Sequence, residues 1–261
     1  MTRSIMAFLK RIVFSVILPL VFWLGVWQFC AYQVDLWVDG RGNQLLLPYP
    51  LTVLETFVSL SLSPSFWHTI ILSLLRILMG ILLGCLLGGL CAIFTTTSTI
   101  CHCLMSPVIR IMRATPVASF ILLLLLWFYR NTVPTVVVAL MVLPILWETM
   151  AQGITAVDPQ LLELTRAYHF TPIQTIKILY LPSLRPYLFS GLANGVGLGW
   201  KSGVAAEVLC LPKLGIGTEI YLTKQNLNIP ALFAWTIMVV ALSFVMEQLL
   251  TLWVSKKGGS V

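Results

Sequence analysis

The chain has 261 residues, 59% of them hydrophobic and 10% charged, with a mean hydropathy of +0.96. A soluble domain has roughly a quarter of its residues charged, so this composition excludes a water-soluble globular protein and points to an integral membrane protein. The net charge of +7 does not call for nucleic acid, because basic residues collect on the cytoplasmic side of membrane proteins and fix their orientation.

The N-terminus places Arg3, Lys10 and Arg11 before an apolar run, as a signal peptide does. That run, residues 12–32, is long enough to span a bilayer, and no small-residue cleavage site follows it, so it reads as a first transmembrane helix. Further spans are expected at 67–94, 107–129, 134–150, 184–208 and 232–254, in one membrane domain covering 1–261. With the N-terminus inside, six crossings put Arg3, Lys10, Arg11, Arg110, Arg113, Arg166, Lys177, Arg185, Lys256 and Lys257 on the cytoplasmic side. Only Arg41, Arg130, Lys213 and Lys224 fall outside, a distribution that favours both termini in the cytoplasm. The outer segments 34–66 and 209–230 each have room for a short helix.

The six cysteines are scattered. Cys101-His102-Cys103 lacks a second ligand pair at suitable spacing, so no metal site is expected. Gly80, Gly84 and Gly88 repeat every fourth residue in the second span, and Gly191, Gly195, Gly199 and Gly203 do so in the fifth. Such ladders lie on one helical face and let another backbone approach closely. The second ladder suits either packing or a translocation path, which would include Gly195 and Gly199. The stretch Gly195 to Ser202 imitates a phosphate-binding loop, but Trp200 stands where that motif needs Gly before the Lys.

Between the fourth and fifth spans lies a polar island, DPQLLELTRAYHFTPIQTIKILYLPSLRP, within the segment 155–183 and its exit. Asp158 can cap a helix that has Pro159 at its first position, and Thr171 with Pro172 can start a second. Leu161, Leu164, Thr165 and Tyr168 form one face of the first helix; Ile173, Ile176 and Leu179-Tyr180 form the apolar side of the second, which Pro182 and Pro186 should end. Such a helix–turn–helix either rests on the bilayer interface or docks into a soluble partner. No nucleophile, base or paired-carboxylate pattern accompanies Glu163 or His169, so no catalytic residues are expected.

The island resembles the cytoplasmic coupling motif of ABC-importer permeases, which runs Glu-Ala-Ala, three residues, Gly, nine residues, Ile, one residue, Leu-Pro. Glu163 and Leu181-Pro182 match; Leu164 and Thr165 replace the alanines, Leu179 replaces the isoleucine, and His169 replaces the turn glycine, which implies that the turn reaches its geometry differently. Leu47-Pro48-Tyr49-Pro50, Ser73-Leu74-Leu75-Arg76 with Gly80, Arg113-Ala114-Thr115-Pro116, Val157-Asp158-Pro159, Ser190-Gly191-Leu192 and Ala205-Ala206-Glu207 resemble the sulfonate/taurine/nitrate-type subfamily. The resemblance implies an all-α, six-helix type I importer bundle in the bacterial cytoplasmic membrane, with the coupling role falling on Asp158, Glu163, Arg166, Ala167, Tyr168, His169, Phe170, Leu181 and Pro182. It also implies a second permease copy, two cytoplasmic ATPase subunits that bind ATP and Mg²⁺, and an extracytoplasmic binding protein. The chain itself would carry no cofactor.

Ionisable residues within spans are costly and are functional candidates by default. Arg76 and Glu207 fall at similar depth and can pair; Lys201 lies in the outer part of the fifth span; Glu148, near the cytoplasmic end of the fourth, is expected to meet Arg185 or Arg110. Excess positive charge in the outer half favours a small anionic or zwitterionic solute, such as a sulfonate, taurine, nitrate or a vitamin precursor. A self-sufficient secondary transporter is the alternative, although the inverted repeats it would want are not evident.

Overall fold

Prolines and small residues set where the helices of this protein begin, bend and touch. The structure is a computed structural model that describes residues 17–38 and 41–257; Arg3, Lys10, Arg11 and the start of the first expected span lie outside the described residues. All regular elements among the described residues are helices: α1 Leu18–Trp37, α2 Gly42–Leu45, α3 Pro50–Ser61, α4 Pro64–Thr97, α5 Thr99–Ala114, α6 Val117–Leu124, α7 Val133–Thr155, α8 Pro159–Ala167, α9 Pro172–Thr175, a π-helical turn Ile176–Tyr180, α10 Leu181–Cys210, α11 Ile216–Gln225 and α12 Ile229–Lys257. Within the single domain expected from the sequence, the described residues form two compact units, those up to Trp67 with 219–238 and 68–218 with those from Val239 onward.

Among the described residues, Pro64–Thr97, Val133–Thr155 and Ile229–Val254 are long and apolar enough to cross a membrane, and α5 with α6 passes as a bent pair. The bend corrects the single run expected over 107–129: the two helices meet at 105°. Pro116 has no N–H to continue α5 and pushes the residue before it out of the helical region, and Thr115 is accordingly extended at φ −78°, ψ 128°.

In the first unit, Asp35 near the end of α1 accepts from the Asn43 amide and the Tyr49 hydroxyl, each at 3.0 Å. Trp27 donates its indole N–H to the Pro48 carbonyl at 3.0 Å and stacks on Phe233 at 5.8 Å. Gly42 is required there, since a Cβ would come within 2.6 Å of the Asp35 backbone.

The second unit is built on α7. Val138, Val142 and Leu146, spaced by four residues and fully buried, form a row of knobs. A Cβ on Gly80, Gly84 or Gly88 of α4 would press on Val138, Val142 and Leu146 respectively, at 2.7–2.9 Å. On α10, Cβ atoms at Gly191, Gly195, Gly199 and Gly203 would meet the same row, within 2.9–3.3 Å. Both ladders therefore serve one three-helix seam, in which absent side chains allow close approach. α6 closes the Val133 end of α7: Ile121 and Leu124 join Val133, Val137, Met141, Ala206 and Cys210 in a buried cluster. α12 joins through the Trp200 indole, which donates to the Val239 carbonyl at 3.2 Å.

Candidate functional site

The polar island folds as its caps direct. Asp158 accepts from the Gln160 amide at 2.8 Å, and Thr171 and Gln174 form a reciprocal capping box at the start of α9. α8 ends in a Schellman closure: Phe170 N–H donates to the Thr165 carbonyl at 2.9 Å and His169 N–H to the Arg166 carbonyl at 3.0 Å. His169 occupies the left-handed position with φ 52°. The turn is thus made without glycine. Histidine takes the left-handed conformation itself, which is uncommon outside glycine but several-fold enriched in Asn, Asp and His.

The expected stop at Pro182 and Pro186 is corrected too. The chain remains helical from Pro172 to Cys210. A proline would remove one hydrogen bond and clash with the carbonyl four residues earlier. The wider π turn just before Leu181, whose N–H reaches back to the Ile176 carbonyl, relieves that crowding. Asp158, Glu163, Arg166, Ala167, Tyr168, His169, Phe170, Leu181 and Pro182 are all exposed. Leu161, Leu164, Tyr168 and Ile173 add an uncovered apolar surface; Tyr168 is 71% and Ile173 72% exposed. The base of this segment is anchored to α7, where Gly153 leaves room for Leu184 and Tyr187.

At the other end of α10 a buried network surrounds Glu207, which is fully buried. Its carboxylate pairs with the Arg76 guanidinium and accepts from the Ser73 hydroxyl at 2.8 Å and the Gly217 amide at 3.1 Å. Arg76 also donates to the Leu214 carbonyl at 3.0 Å, while Ser73 accepts from the Ile216 amide at 2.8 Å. Two charges taken out of water are tolerated when every remaining valence is occupied. The result clamps the 211–217 loop onto α4 and α10. Sequence reading paired Arg76 with Glu207 but missed Ser73, whose i, i+3 spacing to Arg76 puts both on one face. Gly215 and Gly217 were missed as well; Cβ atoms on them would strike Glu207 at 2.9 and 2.5 Å.

Glu148 meets neither Arg185 nor Arg110. It pairs with Arg113, in the last turn of α5, at 2.5 Å. This pair is not covered by the chain, its side chains 54% and 40% exposed. Gly195 and Gly199, read as candidates for a path, sit in the α7 seam instead, whereas Lys201 is exposed on the opposite side of α10.

These features, a long-helix bundle with an exposed helix–turn–helix between its α7 and α10, match known proteins. Residues 80–257 match the family described as "Binding-protein-dependent transport system inner membrane component". The chain belongs to this family. The permease is 22% identical over 212 residues to the taurine transport system permease protein TauC of Escherichia coli K12, covering 78% of this chain and 76% of that one. It is 26% identical over 224 residues to the putative aliphatic sulfonates transport permease protein SsuC of Bacillus subtilis 168, covering 84% and 77%. It is 26% identical over 210 residues to the nitrate import permease protein NrtB of a Synechocystis strain, covering 76% and 72%. A solved amino acid ABC transporter with histidines shares its fold, with a TM-score of 0.61 and 20% identity over 76% of this chain and 95% of that one. This permease is therefore a transmembrane component of an ABC importer and has the fold of such subunits.

Proposed function

We propose that two copies of this permease form the membrane path for a small anionic solute. An extracytoplasmic binding protein delivers the solute, and two cytoplasmic ATPase subunits bind and hydrolyse ATP with Mg²⁺. In this reading both termini face the cytoplasm, and Asp158 to Pro182 is the handle those ATPases grip. Relatives named for taurine, sulfonate and nitrate transport support a small anion as cargo.

The observation that carries the coupling role is the exposed apolar surface around the His169 turn, held by two capped helices and joined without a break to α10. A surface of Leu161, Leu164, Tyr168 and Ile173 beside Glu163 and Arg166 offers a partner both burial and charge. A pull on it passes directly into the helix that carries Lys201 and Glu207. The ATPase supplies the engine; this chain holds the handle rigid and connects it to the bundle.

The test is co-purification. The permease expressed with an ABC ATPase subunit and a binding protein should yield a complex whose ATP hydrolysis rises when loaded binding protein is added. Glu163→Arg should release the ATPase while leaving the permease folded. If Glu163→Arg and Tyr168→Asp both retain the ATPase, the handle lies elsewhere.

A further inference from the structure

α10 has two opposite faces. Gly191, Gly195, Gly199 and Gly203 line the face buried against α7. At 3.6 residues per turn, Ser190, Asn194, Gly197 and Lys201 fall within about 60° of arc on the other side. Ser190, Asn194 and Lys201 are exposed, and their side chains make no hydrogen bond or ion pair among the described residues. Gly197 faces open space: a Cβ there would meet nothing within 4 Å.

The two carboxylates carried by α7 and α10 already have arginine partners, Glu148 with Arg113 and Glu207 with Arg76. Among the described residues, Lys201 is left as an uncompensated cation. It lies about 14 Å along α10 from the Cys210 end at 1.5 Å per residue; with the span boundary expected from the sequence near that end, this is close to the middle of a hydrocarbon layer about 30 Å thick. An unpaired lysine with a run of polar and small neighbours cannot rest stably against lipid there; such residues face water-filled cavities or bundle interiors.

We infer that this stripe lines the aqueous path and that the Lys201 ammonium engages the anionic group of the solute in transit. Asn194 and Ser190 offer hydrogen bonds two and three turns further toward the coupling segment. The inference rests on the two-copy, small-anion reading above and names the side chains that read the charge. The ammonium serves as a compact point charge with three donors, suited to sulfonate-like or planar oxyanions without fixing their shape.

The experiment uses the whole complex of permease, ATPase and binding protein in proteoliposomes, with the six cysteines of the permease replaced by alanine. Gly197→Cys places a thiol one turn from Lys201, on the same face. Its modification rates by the anionic 2-sulfonatoethyl and the cationic 2-(trimethylammonium)ethyl methanethiosulfonates are measured with and without Lys201→Met, each normalised to the reagent's rate with a free thiol. The anionic reagent should be favoured on the order of tenfold, and Lys201→Met should bring the ratio to within about twofold of unity. A thiol unreactive to both reagents, or a ratio indifferent to Lys201→Met, would overturn the inference. ATP hydrolysis by the same complexes reports the importer reading separately. A complex that hydrolyses ATP with a thiol blind to charge sinks only the role of Lys201, while an inactive parent complex removes the path as well.

Discussion

The guanidinium of Arg76 and the carboxylate of Glu207, 131 positions apart in the chain, form an ion pair whose acidic member is fully buried. A buried pair is weak evidence of stabilisation when compared with an apolar replacement, yet removing one member strands the other. Glu207→Gln is expected to lower stability by about 3–5 kcal/mol, read as a fall in the thermal unfolding midpoint of the detergent-purified permease. The double variant Arg76→Met with Glu207→Met should be more stable than Glu207→Gln alone. A double variant worse than both singles would show that the clamp on the 211–217 loop, and not stranded charge, dominates.

The second pair behaves differently. Arg113 and Glu148 are both well exposed, and exposed pairs contribute about 0–1 kcal/mol. Glu148→Gln should therefore shift the unfolding midpoint far less than Glu207→Gln does, and the shift should shrink further at high salt. Equal losses for the two variants would show that Glu148 is dry in the assembled protein.

The glycines divide by what stands opposite them. A Cβ at Gly84 would lie 2.7 Å from the Ala139 carbonyl, whereas one at Gly89 meets nothing within 4 Å. Gly84→Ala should cost about 1–3 kcal/mol by forcing α4 from α7. Gly89→Ala should be neutral or stabilising by up to about 1 kcal/mol through helix propensity. Thermal unfolding of the two variants side by side checks the contrast.

His169 holds a φ of 52°, a conformation that costs a residue with a Cβ about 1–2 kcal/mol. His169→Gly should recover part of that, about 0.5–1 kcal/mol after the greater freedom of glycine in the unfolded chain is counted. His169→Val should lose more than 1 kcal/mol, since β-branched residues resist this region. If His169→Gly destabilises, the imidazole makes a contact that matters more than the backbone strain.

Glu219, on α11 between the last two long helices, is partly buried, and burial raises its carboxyl above the ordinary 4.5. A raised folded-state pKa means that the protonated form is favoured in the fold. Its relative stabilisation is complete below 4.5 and is lost as pH rises through the folded value. Glu219→Gln should therefore stabilise the permease at pH 7 and make no difference below about pH 4. Unfolding midpoints across that range decide it; a constant offset at all pH values would contradict the assignment.

Local chemistry, which needs only near neighbours in the chain, is readable from residues alone. Asp158 with Pro159 and Thr171 with Pro172 predicted two helix starts, and both caps are made. The apolar lengths marked out the long helices, and the coupling signature located the exposed turn. The sequence placed Arg76 and Glu207 at one depth, because rise per residue is fixed within a helix.

What the residues alone could not decide was azimuth and partnership across helices. Glu148 took Arg113 because α5 packs on α7, a partnership across helices that no spacing encodes. The glycine ladders of α4 and α10 share one row of α7 knobs only once three helices meet, so Gly195 and Gly199 lie against α7 while the opposite face of α10, with Lys201, is exposed. Periodicity defines the faces of a helix; the tertiary structure decides which face is covered, because that depends on side chains far apart in the chain.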